Sequence, residues 1–265
     1  MLNRFLLVAL VLTLSCLTFG QQNLNQEAGG VPAPNTATCA ATFTSGTGHN
    51  LTSFCVTVNG NIVQFSRGGD EYIQVGAIIE GYGICDRTSL IRYFDWADRD
   101  SGNWLAASFS STSTKAISTR VSSDGIWQIK NTITKKPANA MGPGSATVQM
   151  QIKNLTGANR EIFLFRDADV DFLRGATADV INDFFYTGDT VANVERGFKT
   201  GLSLTNNTFT FDDLAFARDS VPPPDPCGTS SAPQPFFGDG SVATFHHITV
   251  PKLSTKTVTV TYKPI

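Results

Sequence analysis

Apolar and polar residues alternate with a period of two along most of the chain, and that period leaves little room for anything but β-sheet. Phe54, Val56 and Val58 run into Asn59-Gly60, and Val63 and Phe65 return beyond it. An Asn-Gly pair between alternating segments signals a hairpin, because both residues tolerate the positive φ of a tight two-residue turn. The spacing predicts Val56 opposite Val63 and Phe54 opposite Phe65. Farther on, Trp127, Ile129 and Ile133 share a face, while Val148, Met150 and Ile152 alternate with Thr147, Gln149, Gln151 and Lys153. Near the end, Val258, Val260 and Tyr262 alternate with Thr257, Thr259 and Thr261. Each segment reads as a strand with one wet face, the pattern of antiparallel sheets.

Further strands are expected at 72–79, 90–96, 104–109, 115–121, 161–172, 201–204, 209–217 and 242–250, separated by turn residues at sandwich-like intervals. The Ser/Thr-rich stretch 108–123 keeps Ile117 and Val121 in strand register and reads as an exposed edge. Helical spacing occurs at 177–185, where Thr177 could cap and Val180, Ile181, Phe184 and Phe185 fall on one side. The expected fold class is therefore all-β, one large antiparallel β-sandwich with few or no helices. The Pro-rich stretch 221–237 forbids regular structure, but the 28 residues after it are too few for a core of their own. It reads as a loop inside one sandwich domain spanning 37–265. Two smaller β domains split near 141–144 are the alternative.

Only 16% of the residues are charged and 41% are hydrophobic, which excludes a disordered polyelectrolyte or a long coiled coil. Lys and Arg number 20 against 22 Asp and Glu, so no nucleic-acid partner is expected. Residues 1–20 have a positive start, an apolar run over 5–17, and small residues at Thr18 and Gly20. They read as a secretory signal peptide cleaved before Gln21, followed by a flexible leader over 21–36. The apolar run is short for a membrane span, and no other segment approaches one. In a lipoprotein reading Cys16 would be acylated, but Thr13 stands where such signals carry a branched aliphatic residue. The expected location is secreted or extracytoplasmic.

Cys39, Cys55, Cys85 and Cys227 remain after cleavage, an even number for an oxidising compartment. The strand end and turn between the first two favour Cys39–Cys55. Cys85–Cys227 then ties the Pro-rich loop to the body. Zinc is disfavoured, because no Cys-x-x-Cys pair exists and His49, His246 and His247 lack ligand spacing.

Phosphate-loop, dinucleotide, zinc-protease and esterase motifs are absent. Asp98, Asp100 and Asn103, in a Gly-containing loop between Trp96 and Trp104, could offer oxygens to Ca²⁺; a polar turn is the plainer reading. In an extended strand Phe163, Phe165, Asp167, Asp169 and Asp171 project from one face, a combination suited to stacking and hydrogen-bonding a sugar. Arg166 then lies on the apolar face and needs a carboxylate from Glu80, Asp95, Asp212 or Asp213. His246 points inward with Ile248, and His247 outward beside Phe245.

The long succession of strands, with an Asn-Leu-Thr-Gly-Ala turn at 154–158 before a strand ending in alternating acids, resembles the supersandwich domains of mutarotase-like and carbohydrate-active secreted proteins. The likeness is architectural and covers 59–265. Such enzymes use a histidine and an acidic base, but no motif here matches either, so no catalytic residue carries over. The leading functional expectation is a secreted, non-catalytic binding or surface-associated module with a glycan or cell-surface component as partner, and no cofactor other than Ca²⁺. The alternatives are a carbohydrate-active enzyme, with Glu80 or a strand Asp as base and His246 or His247 as acid, and a structural envelope protein.

Overall fold

The computed structural model describes residues 38–73, 79–140, 142–170, 172–174, 177–179, 183–187, 191–196, 200–208, 214–218, 225–228, 236–238 and 240–265. The expected signal peptide, the leader, Cys16, Asp171, Asp212 and Asp213 lie outside the described residues. Three antiparallel sheets make up the fold, and among the described residues no helix reaches seven residues. The all-β expectation is met. The helix expected over 177–185 is not: Thr177–Asp179 and Asp183–Thr187 are strands, so sheet pairing overrides a short helical pattern.

The nine-stranded sheet runs in the order Phe236–Gly238, Asp183–Thr187, Val191–Arg196, Thr200–Asn206, Thr255–Pro264, Ser145–Asn154, Trp127–Lys136, Lys115–Val121, Ser108–Ser111. Its centre is built from the segments with the cleanest alternation. Val148 pairs with Ile133 and Val260, so the inner face is continuously aliphatic. The Ser/Thr-rich edge is Ser108–Ser111, with Lys115–Val121 one strand in. A five-stranded sheet has the order Leu214–Arg218, Ser241–Val250, Arg160–Asp169, Ile79–Asp86, Arg92–Ala97. A six-stranded sheet carries Ala41–Ser45, Thr52–Val56 and Ile62–Arg67 at one end.

The hairpin forms with Phe54 opposite Phe65, but the turn differs from expectation. Thr57 N–H donates to the Asn61 carbonyl at 2.9 Å and Gly60 N–H to the Thr57 carbonyl at 3.1 Å, which makes a three-residue loop with Gly60 at φ 88°. Val56 therefore faces Ile62, and a bulge beside Cys55 restores the register. The extra loop residue turns Asn61 inward, where its Nδ2 donates to the carbonyls of Glu80 at 2.8 Å and Asp95 at 3.1 Å.

The inner faces of the three sheets share one core, which includes Phe54, Phe65, Ile84, Trp127, Met150, Leu164 and Val260. A second apolar layer, containing Phe94, Trp96, Phe163, Phe165 and Phe216, lies on the other face of the five-stranded sheet. Both disulfides form as expected, Cys39–Cys55 with Cα atoms 5.4 Å apart and Cys85–Cys227 at 4.9 Å. They suit an extracytoplasmic location. Among the described residues no helix is long and apolar enough to cross a membrane.

Candidate functional site

Strand Arg160–Asp169 is buried on both faces. The face expected to meet a sugar is covered, with Phe163 9%, Phe165 1%, Asp167 1% and Asp169 3% exposed. Part of the cover, over the aromatic cluster beside Gly83 and Trp96, comes from the segment around Cys227. Its disulfide to Cys85 anchors it to the sheet, and Arg92 holds Asp225 through two bonds of 2.5 and 2.8 Å. Pro226 then packs on Gly83, where a Cβ would stand 2.7 Å from the proline Cγ and 2.8 Å from the Trp96 ring. Asp167 accepts a hydrogen bond from Ser241 Oγ at 2.9 Å. A ring that stacks on a sugar must be reachable, so the expected open strip through Phe165 and Asp167 is corrected to a buried layer. Asp171 lies outside the described residues.

One end of that face is partly exposed, and it gathers the side chains of Phe163, His247, Glu161 and Arg87. Phe163 pairs in register with His247, and Arg87 N–H donates to the Glu161 carbonyl at 2.9 Å, which brings three strands' side chains to one place. His247 Nε2 lies 2.5 Å from Glu161 Oε1, and Arg87 Nε lies 4.0 Å from the same oxygen. The side chains of His247, Glu161 and Arg87 are 35%, 46% and 39% exposed. The Arg87 guanidinium sits 4.3 Å above the Phe163 ring, against which the imidazole also packs at 5.2 Å. His247 faces outward and His246 is fully buried, as strand parity requires. Glu161 and Arg87 escaped the sequence reading. The available signal was parity alone, which puts Glu161 on the face of Phe163.

Glu80 and Arg166, by contrast, are both completely buried. Arg166 Nε donates to Glu80 Oε1 at 2.7 Å and its Nη2 approaches to 2.5 Å; Tyr262 OH donates to the same oxygen at 2.6 Å. Ile62 N–H donates to Glu80 Oε2. Burial pushes the Glu80 carboxyl above its ordinary range, against the pull of Arg166. This carboxylate anchors the interior and has no route to a substrate, so neither Glu80 nor His246 fits the expected acid–base roles.

The residues expected to bind calcium are otherwise engaged. Asp100 Oδ2 accepts from Arg120 Nη2 at 3.0 Å and its Oδ1 from Gly102 N–H at 2.7 Å. Asn103 Nδ2 donates to the Arg92 carbonyl at 2.8 Å, and Asp98 lies 3.6 Å from Arg99. Arg120 also binds Asp95 at 2.6 Å, and burial pushes the Asp95 carboxyl up to about 6 although the guanidinium opposes it. The cluster is thus a polar turn neutralised by Arg120. Among the described residues no group of three or more His, Cys, Asp or Glu could hold a metal ion.

No family model matches the chain, and no curated protein matches it by sequence. Among solved structures it is similar to a bacterial glucoamylase complexed with acarbose, with a TM-score of 0.58 at 10% identity over 89% of this chain and 34% of that one. It is also similar to a candidate aldose 1-epimerase from Escherichia coli K12, with a TM-score of 0.49 at 9% identity over 85% and 99% of the two chains. A heparan sulfate lyase of Pedobacter heparinus gives 0.47 at 9% identity over 84% and 34%. The chain thus spans about a third of the glucoamylase it resembles. At such identities the glucoamylase likeness shows a shared fold, an antiparallel β-sandwich of the same architecture.

Proposed function

We propose that the chain acts on carbohydrate and that Glu161 and His247 form its acid–base couple. The observation that carries this reading is the pair itself, a carboxylate and an imidazole 2.5 Å apart on adjacent strands, both partly exposed. A carboxylate bonded to one ring nitrogen orients the imidazole and stabilises its protonated form, the arrangement of a general acid–base couple. Arg87, partly exposed beside the couple, supplies a donor for a sugar hydroxyl. The sandwich shared with a sugar-acting enzyme supports the substrate class.

Polarimetry of freshly dissolved D-glucose and D-galactose, with hydrolysis of maltose and nitrophenyl glycosides alongside, tests the reading. The wild-type chain should turn over at least one of them. His247→Ala and Glu161→Gln should each lower kcat by about 10²–10⁴, the usual range for a general acid or base, with unchanged circular dichroism. Turnover equal in both variants removes the pair. Binding of these sugars without turnover, abolished by Arg87→Ala, favours a non-catalytic glycan-binding module at the same place.

The protein is further proposed to be exported by a signal peptide over 1–20, in keeping with its two disulfides. Mass analysis of protein made in an exporting host should find Gln21 first. Retention of Met1, or a diacylglyceryl mass on Cys16, would contradict that cleavage.

A further inference from the structure

The outer face of the nine-stranded sheet differs from the rest of the molecule in its charge. Its four adjacent strands Lys115–Val121, Trp127–Lys136, Ser145–Asn154 and Thr255–Pro264 contain no Asp and no Glu, in a chain whose formal net charge is −2. Strand parity sorts their basic residues. Arg120 turns into the core, whereas Lys115, Lys130, Lys153 and Lys263 lie beside buried residues and so project outward, and Lys136 is exposed in the same parity as Lys130. Among the described residues none of these five makes an ion pair.

Between the lysines the face is mostly hydroxyls and amides, with Ile117 and Val121 as apolar positions on the strand Lys115–Val121. Lys115 pairs with Thr134, Thr134 with Thr147, and Thr147 with Thr261, which forms one row across four strands. A second row runs from Thr119 through Lys130 and Gln151 to Thr257. Rows of this kind stand about 7 Å apart along the strands, with neighbours about 4.8 Å apart across them. The surface therefore offers point positive charges at intervals, with neutral donors and acceptors filling the space between.

We infer that this face binds an acidic polysaccharide, a polymer whose sugar rings carry carboxylate or sulfate groups. Charge complementarity calls for a polyanion, because five ammonium groups without an ion pair among the described residues, on strands that carry no acid, attract one and repel a basic partner. The neutral part of the lattice selects the class. Thr and Gln side chains match the many hydroxyls of a sugar polymer, whereas nucleic acid is served by Arg forks on phosphate and by aromatic platforms for bases. The outer positions of these four strands carry no Arg and no aromatic residue. The face lies across the main core from Glu161 and His247, so the inference does not rest on that couple.

The test uses the full exported chain and four immobilised polymers, namely polygalacturonate, chondroitin sulfate, neutral dextran and double-stranded DNA. At low salt the chain should bind at least one acidic polysaccharide and ignore dextran. The preference between the two acidic polymers identifies the anionic group. Raising the salt from 50 to 250 mM should weaken binding by about tenfold or more, since several exposed charges contribute. The variant Lys130→Gln, Lys153→Gln, Lys263→Gln should lose about tenfold in affinity while its Tm stays put, because exposed charges contribute little to stability. Glu161→Gln should bind as the wild type does, which separates this surface from the proposed active site. Failure to bind either acidic polymer, binding undiminished in the triple variant, or DNA bound as tightly as the better polysaccharide would each overturn the inference.

Discussion

Arg166→Met should lower the unfolding free energy by about 3–5 kcal/mol, read as a shift of the urea midpoint, because it leaves a buried carboxylate without its cation. Methionine replaces the apolar stem of the arginine, so the loss reports charge and hydrogen bonds more than volume. Glu80 is bound by Ile62 of the six-stranded sheet, Arg166 of the five-stranded sheet and Tyr262 of the nine-stranded sheet. One carboxylate thus joins all three sheets, and the loss of its partner is felt by each. Burial already raises the Glu80 carboxyl in the folded state, and without Arg166 it rises further. A carboxyl raised on folding opposes stability once the pH exceeds its unfolded value near 4.5, so the deficit of Arg166→Met should grow from acid toward neutral pH. Glu80→Gln with Arg166→Met should recover part of the loss, since a neutral amide can accept from Ile62 N–H through its oxygen and donate from its NH2 to the Tyr262 hydroxyl oxygen. A deficit under about 1 kcal/mol, or one independent of pH, would mean that the pair contributes little beyond packing.

Period two made the central strands legible, and with them the all-β class, the inward Arg166 and the opposite faces of His246 and His247. Cysteine parity and the short turn between Cys39 and Cys55 made both disulfides legible. What escaped depends on contacts remote in sequence. Phe163, Phe165, Asp167 and Asp169 form a row on one face, as the pattern requires, but the pattern does not show that this row is buried or that the Cys227 segment packs on the aromatic cluster at its side. Asp98, Asp100 and Asn103 resemble a cation loop until Arg120, from a strand of another sheet, enters as the countercharge. Glu161 and His247 meet only because Arg160–Asp169 pairs with Ser241–Val250, a register no local signal fixes. Glu80 stood out as a carboxylate for Arg166 and as a candidate base, and its place is central, yet its role is cohesion.

Removing the Cys85–Cys227 bridge with Cys85→Ser and Cys227→Ser should cost more stability than removing Cys39–Cys55 in the same way. The closed loops span 142 and 16 residues, and the chain-entropy estimate gives about 5 kcal/mol for the longer and about 3 kcal/mol for the shorter. The longer bridge has a second role. It holds Pro226 over Gly83 and completes the cover of Trp96 and Phe165, with Arg92–Asp225 as the other fastening. That ion pair is about half exposed on its arginine side and cannot hold the segment as firmly as a covalent bond. Cutting the bridge should therefore uncover the aromatic layer as well as lower the Tm. The expected signature is red-shifted tryptophan emission and binding of an apolar dye below the unfolding transition. The Cys39–Cys55 variant should show neither, because that bridge lies on the six-stranded sheet, away from the layer. If the Cys85–Cys227 variant kept native emission and bound no dye, the aromatic layer would be covered by its own packing, and the Cys227 segment would be a passenger on it. If emission shifts as expected, sugar turnover and sugar binding in that variant become informative, because part of the aromatic layer beside Gly83 and Trp96 would then lie open on the sheet that carries the Glu161–His247 couple. A gain in sugar affinity would mean that the sugar-stacking face read from the strand is present but closed by the bridge; no gain would limit carbohydrate recognition on this sheet to its exposed end.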